Sequence, residues 1–190
     1  MTAGTAMERE LGLRDGRSVR IRRAAPDDAG PVLEYLSRVG GETPNLTFGS
    51  EGPGLTESEE RDYLTRTGES DNSLAILALV GDTIVGGLTF DGGRRPRLRH
   101  VGEFGISVAQ EYAGLGIGRA MMEYMIAWAQ RSGVVRKINL KVRVDNAGAI
   151  RLYERMGWVH EGRTTRDTII DGQFNDCLMM GRAVDPQVSS

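Results

Sequence analysis

The chain carries one cysteine, Cys177, in 190 residues, which excludes an internal disulfide framework and a multi-cysteine metal site. Its two histidines, His100 and His160, have no metal-ligand spacing, so no metal is expected. No apolar stretch approaches the ~20 residues needed to span a bilayer. The opening segment, with Glu8, Arg9 and Glu10, holds no signal-like apolar region. An excess of one charge is missing too. A formal net charge of -2 makes no case for a nucleic-acid or membrane-surface partner. The expectation is a cytoplasmic protein in a reducing compartment. There is no repeat and no low-complexity segment, and the length suits one well-packed domain.

Glycine, by contrast, is abundant. Its most informative use is Ala113-Gly114-Leu115-Gly116-Ile117-Gly118-Arg119, between a strand-like and a helix-like apolar run. Without Cβ atoms, such a loop takes positive φ and lets its backbone approach a ligand. A helix starting there adds free N–H groups and the positive end of its dipole, a setting for a pyrophosphate.

The patterning predicts a single domain over residues 18–183, between a flexible tail (1–17) and a C-terminal tail (184–190). Val19–Arg22 reads as a short strand. Pro26-Asp27-Asp28 opens a helix that Gly40-Gly41 should end, and Glu42–Leu55 is a loop. The Thr56/Glu59 spacing is that of a capping box, so a helix should run from about Glu57 to Thr67. Ser73–Val80 and Thr83–Phe90 read as a hairpin around Gly81-Asp82, followed by a strand ending at Val108. After the glycine loop, Ile117, Met121, Tyr124 and Trp128 stripe a helix that Gly133 stops. Ile138–Val144 is a strand, Ala147–Met156 a helix, and Thr165–Ile170 with Phe174–Met180 a hairpin around Asp171-Gly172. Antiparallel strands first, then one strand–helix–strand crossover, give a mixed, mostly antiparallel sheet with flanking helices.

Three phosphate-binding patterns compete for the glycine loop. A nucleoside-triphosphate loop needs Gly-Lys-Ser/Thr at its end, but Gly118 is followed by Arg119-Ala120. A dinucleotide fingerprint wants its third glycine where Arg119 stands, and Asp145 lies beyond the usual ~20-residue spacing of a ribose carboxylate. The third pattern is a coenzyme A site. Phe104–Val108, then Glu111–Gly118, then Asn146–Trp158 resemble, in order, the fourth strand, pyrophosphate loop and second cofactor motif of the GNAT superfamily of acyl-CoA-dependent N-acetyltransferases. The resemblance extends over about Arg20–Met180. It departs at Ala113, where the family usually carries Arg or Gln.

The resemblance implies acetyl transfer from acetyl-CoA to a primary amine by direct attack in a ternary complex. It implies that the fourth and fifth strands splay apart, and that the pantetheine arm lies between them like an added strand. Ile106 and Val108 would offer backbone groups to that arm. Ala113, Gly114, Gly116, Ile117, Gly118 and Arg119 would surround the pyrophosphate. Asn146 is a helix N-cap, a cofactor contact or both. Tyr153 is placed as the general acid for the leaving thiolate, against the reading of a packed helix aromatic. Glu103 is the candidate base. Strand alternation sets it with Gly105 and Ser107, opposite Phe104, Ile106 and Val108. Some family members carry the base on the second set, so a bulge or twist is expected here. Lys141 stands where certain members hold an acid.

Other residues read more plainly. Arg94, Arg95, Arg97 and Arg99 form a basic hairpin tip, and Cys177 sits in an apolar run as a core residue. The acceptor should lie between Gly40–Leu55 and the C-terminal hairpin, and a mobile glycine-rich lid favours a small-molecule amine over a protein. The edge strand of that hairpin suits a homodimer. The rival from another class is a non-catalytic acyl-CoA-binding sensor, which would need neither Tyr153 nor a base.

Overall fold

The computed structural model describes residues 8–13 and 15–185. Its first half contains β1 (Arg9–Gly12), β2 (Ser18–Arg23), α1 (Ala29–Glu42), α2 (Glu57–Glu69), β3 (Ser73–Val80) and β4 (Thr83–Gly92). The second half contains β5 (Val101–Val108), α3 (Ile117–Ser132), β6 (Lys137–Arg143), α4 (Ala147–Arg155), β7 (Val159–Ile170) and β8 (Gln173–Ala183). One eight-stranded sheet runs in the order β1-β2-β3-β4-β5-β6-β8-β7. Every neighbouring pair is antiparallel except β5 and β6. A parallel pair needs a crossover, and α3 supplies it.

The uninterrupted apolar run of β3 follows from burial on both faces. Leu74, Ile76 and Ala78 join the core under α3 and α4, while Leu77 and Leu79 pack beneath Val32, Tyr35 and Val39 of α1. Ala75, between them, meets Ala29 and Leu64. α1 and α2 thus cover one face, and α3 and α4 the other. The capping box forms as expected: Glu59 N–H donates to Thr56 Oγ1 at 3.3 Å, and Thr56 N–H donates to Glu59 Oε2 at 2.8 Å. Gly133 ends α3 with φ of 69°. No helix among the described residues is long and apolar enough to cross a membrane.

Four expectations need correction. Arg9–Gly12, read as tail, is strand β1, because Leu11 and the buried Leu13 pack onto the core beside β2. Residues 1–7 and 14 lie outside the described set. At the other end Val184 is buried and its N–H donates to Arg136 O at 2.9 Å, so it belongs to the domain; residues 186–190 lie outside the described set. Gly40-Gly41 does not stop α1, which continues to Glu42. The room at Gly40 serves the loop instead, since a Cβ there would collide with the Gly49 carbonyl. The C-terminal hairpin turns at Asp171-Gly172 but is longer than expected, with register shifts at His160/Gly162 and Thr164/Thr168.

Candidate active site

β5 and β6 pair over a short stretch only: Val101 with Lys137, Gly102 with Ile138 and Glu103 with Asn139. Beyond Glu103 the strands part, and the β6-facing backbone of Phe104–Val108 is left without a ladder. The extra strand β1 shifts the numbering by one, so this is the splayed pair expected from the resemblance. A cleft of about 1120 Å³ opens there, lined by Glu103–Val108 of β5 and Lys141–Arg143 of β6. Tyr35, Tyr63, Asn146 and Tyr153 close its sides. Residues 43–56 form its cover, and Arg143 pins that loop by donating to Pro44 O at 3.0 Å.

The glycine loop leads into α3. Gly114 and Gly116 have φ of 75° and 89°, and a Cβ at either would meet nothing within 4 Å. Their glycine is needed for backbone conformation rather than packing. Gly118 lies inside the first turn, where a Cβ would sit 3.8 Å from Ile106 Cδ1 and Val108 Cγ2, an ordinary contact. Among the described residues, no acceptor meets the N–H groups of Gly114 through Arg119. Six orphan amides at a helix start fit a pyrophosphate. Ala113 departs from the expectation: its N–H already donates to Gln110 O at 3.1 Å. The Arg119 side chain is exposed and donates to Glu123 at 2.9 Å.

α4 is set by its two ends. Asn146 Oδ1 accepts from Ala149 N–H at 3.2 Å, so the N-cap is formed, and the residue also lines the cleft. At the far end the buried Trp158 donates from Nε1 to Ile138 O at 3.2 Å, tying the helix to β6. Tyr153 is buried between Phe104 and Trp158, with ring centroids 5.9 Å and 6.2 Å away. Its hydroxyl makes no hydrogen bond to a described residue, and burial pushes its pKa up to about 12. The phenol is therefore a neutral donor throughout the physiological range.

Glu103 is exposed on the other face, which α1 and α2 cover. The β4–β5 register runs unbroken from Gly86–Val108 to Gly92–Gly102, so the expected bulge is absent. Alternation holds, and Glu103 shares its face with Ser107, whose Oγ lies 2.9 Å from Tyr35 Oη. The gap between the strands connects both faces, so Glu103 and Tyr153 still line one cleft. Lys141 reaches Asp167 at 3.0 Å, and that hydrogen bond raises its pKa, with Glu103 adding a smaller pull.

Some cleft residues escaped the sequence reading. Glu60 of α2 is buried, and the signal was its spacing: Glu60, Leu64 and Thr67 fall at i, i+4 and i+7 on the buried stripe. Tyr63 donates to Asp91 at 3.2 Å, and Asp167 and Thr168 come from β7. Cys177 is buried as expected and also borders the cleft, and burial raises its pKa. The remaining candidates stand apart: His160 pairs with Glu154 at 2.8 Å and Arg99 with Asp71.

An open, mostly antiparallel sheet parted after its one parallel pair, with orphan helix-start amides beside the gap, is the frame of the acyl-CoA-dependent acyltransferases. The chain belongs to the acetyltransferase (GNAT) family, whose model matches residues 44–158. It is 36% identical over 107 residues to the L-amino acid N-acetyltransferase AaaT of Escherichia coli, covering 56% of this chain and 66% of that protein. It is 33% identical over 78 residues to the spermidine N(1)-acetyltransferase of Vibrio cholerae, covering 41% and 45%. The match thus spans less than two thirds of either relative. An acetyltransferase of the GNAT family from Streptococcus pneumoniae superposes with a TM-score of 0.84 at 34% identity, over 87% of this chain and 99% of that one. A Salmonella typhimurium protein solved with its cofactor acetyl-CoA shares the fold, with a TM-score of 0.76 at 17% identity over 90% and 97%.

Proposed function

We propose that the chain is a single-domain, cytoplasmic N-acetyltransferase that moves an acetyl group from acetyl-CoA to a primary amine by direct attack. The observation that carries this reading is the through-sheet cleft. Tyr153 lies on one side of it and Glu103 on the other, with β5 backbone unpaired between them and Gly118 of the helix start set against Ile106 and Val108.

Acetyl-CoA, when bound, supplies the acetyl thioester. Gly114, Gly116, Ile117, Gly118 and Arg119 donate their amides to the pyrophosphate, where the α3 dipole adds to the attraction. Ile106 and Val108 offer the backbone groups that β6 leaves unpaired, so the pantetheine arm completes the ladder. Asn146 holds α4, and through it Tyr153, at the wall of the gap.

Glu103 takes the proton of the attacking ammonium through water from the opposite face. An amine of pKa near ~10 must lose that proton before it attacks. Tyr153 donates a hydrogen bond to the sulfur as negative charge develops. Full proton transfer from a phenol at about 12 to a thiolate of pKa ~8.5 is uphill by roughly 5 kcal/mol. The useful role is thus charge stabilisation by a held donor. Cys177, kept protonated by burial, is a poor nucleophile, which favours direct attack over an acyl-enzyme. The pinned loop over the cleft favours a small amine over a protein segment.

The test is calorimetric titration with acetyl-CoA, using NAD as control, followed by thiol release against a panel of amines. Binding with acceptor-dependent release establishes the transferase. Binding without release across the panel supports the sensor, and no binding overturns the reading of the glycine loop.

A further inference from the structure

The α1/α2 side of the cleft is rich in carboxylates and short of available cations. Glu42, Glu60, Asp91, Glu103 and Asp167 line it, against Lys141 and Arg143. Both bases are committed: Lys141 to Asp167 at 3.0 Å, and Arg143 to Asp145 at 2.6 Å and to Pro44 O. Glu42 also has a partner, accepting from Gln110 N–H at 2.7 Å.

Glu60 stands out from the others. It keeps 5% of its surface exposed and borders the cleft, and its carboxylate makes no hydrogen bond or ion pair with any described residue. A carboxylate largely withdrawn from water without a partner is costly, so a cation beside it is favoured. One turn along the same face of α2, Tyr63 donates to Asp91. Asp91 in turn lies directly opposite Glu103 in the β4–β5 register. Like charges in that position repel each other and destabilise the pair. Arg66 and Arg94 act on Asp91 only from a distance, as Lys141 acts on Glu103. Loss of water raises the carboxyls of both Glu60 and Asp91. Elsewhere on the wall of the same cleft, the buried Thr168 Oγ1 of β7 has no hydrogen-bond partner among the described residues.

An acceptor bearing a carboxylate, such as an amino acid, would meet Glu60, Asp91 and Glu103, while the two basic residues of the lining, Lys141 and Arg143, are already paired and Arg66 and Arg94 reach Asp91 only through their charge. An acceptor bearing a second ammonium would answer these acids: among the described residues, no cation lies within ion-pair distance of Glu60, Asp91 or Glu103. We propose that Glu60 and Asp91, with Tyr63 holding Asp91 in place, form a cation subsite that selects diamine or polyamine acceptors. This rests on the transferase reading above. The reacting amine lies at the gap beside Glu103, and the second ammonium lies at Glu60 and Asp91.

The experiment compares kcat/KM of the full chain for 1,4-diaminobutane, n-butylamine and 2-aminohexanoate, with acetyl-CoA affinity measured alongside by calorimetry. The diamine should be preferred at least tenfold over both others. Glu60→Gln and Asp91→Asn should each erase most of that preference through KM, while Asp62→Asn, exposed on the same helix, should keep it. Unchanged acetyl-CoA affinity certifies that each variant is folded, and the wild-type comparison needs no variant at all. Equal or better use of butylamine or the amino acid by the wild type overturns the subsite. So does a folded Glu60→Gln that keeps the full diamine preference. Failure of the wild type to bind acetyl-CoA, or to release thiol with any amine, overturns the transferase reading, and the subsite with it.

Discussion

The Tyr153 ring meets the Phe104 ring edge-on, with centroids 5.9 Å apart and planes at 86°. Phe104 directly follows Glu103, whose side chain leaves the strand on the opposite face. In the proposed reaction, two adjacent residues of β5 would therefore serve its two ends, one supporting the donor and the other facing the acceptor. Tyr153→Phe keeps this packing and removes only the hydroxyl. If the phenol stabilises charge without giving up its proton, kcat should fall no more than ~10²-fold, the lower end of the ~10²–10⁴ range for general acid–base loss, with acetyl-CoA affinity retained. Thiol-release kinetics check this, and a loss far beyond ~10² would sink the role as stated.

The same tyrosine sets a pH expectation. Burial raises Tyr153 and Tyr35 to about 12 from an ordinary 10. A phenol with its folded pKa above its unfolded value binds its proton more tightly in the fold. Its contribution to stability is full below about pH 10 and is lost as pH climbs from about 10 to about 12. Denaturant unfolding at stepped pH should show stability declining through that window, and less steeply in Tyr153→Phe. Below pH 10 the wild type and Tyr153→Phe should have parallel kcat profiles. A limb near neutrality that vanishes in Tyr153→Phe would contradict the burial argument.

Gly116 and Gly118 separate conformation from approach. Alanine at Gly116 must hold φ of 89° in open space, at roughly 1–2 kcal/mol. That should lower Tm by several degrees in a chain of this size. Alanine at Gly118 meets only ordinary contacts, 3.8 Å from Ile106 and Val108, so Tm should hold. Calorimetry should nevertheless show weaker acetyl-CoA binding for Gly118→Ala, because the methyl stands where a ligand approaches the helix start. Full affinity in Gly118→Ala would remove this residue from the cofactor site.

Gly40→Ala tests the cover of the cleft. The new methyl would collide with the Gly49 carbonyl, so either α1 or the 43–56 loop must shift. Destabilisation of about 1–3 kcal/mol is expected from such overpacking. The acceptor KM should rise several-fold while acetyl-CoA affinity stays, since the glycine loop lies elsewhere. An unchanged acceptor KM would show that the 43–56 loop does not shape the acceptor side.

These expectations rest on features of unequal legibility. Gly81-Asp82, the Thr56/Glu59 cap and the glycine run were readable because each acts through its neighbours in the chain. The point where β5 leaves β6 was not readable from the residues alone. It depends on where a parallel pairing between distant segments stops, and only the family resemblance anticipated it. β1 was missed because a four-residue segment, two of whose residues are charged, forms a strand only when β2 and the core are already beside it. Glu60 was legible in principle. Its place on the stripe of Leu64 and Thr67 marks it for burial, a pattern the capping-box reading of this helix did not follow. Of the bulge or twist expected at Glu103 the bulge is absent, and the opening in the sheet already lets both faces line one cleft.

Glu103→Gln gives the sharpest test of the base. Without the carboxylate, the acceptor must reach the gap already neutral, so the rate should follow the free amine in solution. For an amine of pKa ~10, about one molecule in a thousand is neutral at pH 7 and about half at pH 10. At pH 7 the variant should lose ~10²-fold or more in kcat/KM. As pH rises its rate should climb tenfold per unit and approach the wild type near pH 10. Asp91, directly opposite, is checked by including Asp91→Asn, which should raise KM without this climb. If Glu103→Gln matches the wild type at neutral pH, the proton leaves by another route and Glu103 is a surface glutamate. If the loss is constant across the whole range, the carboxylate holds the acceptor instead of deprotonating it.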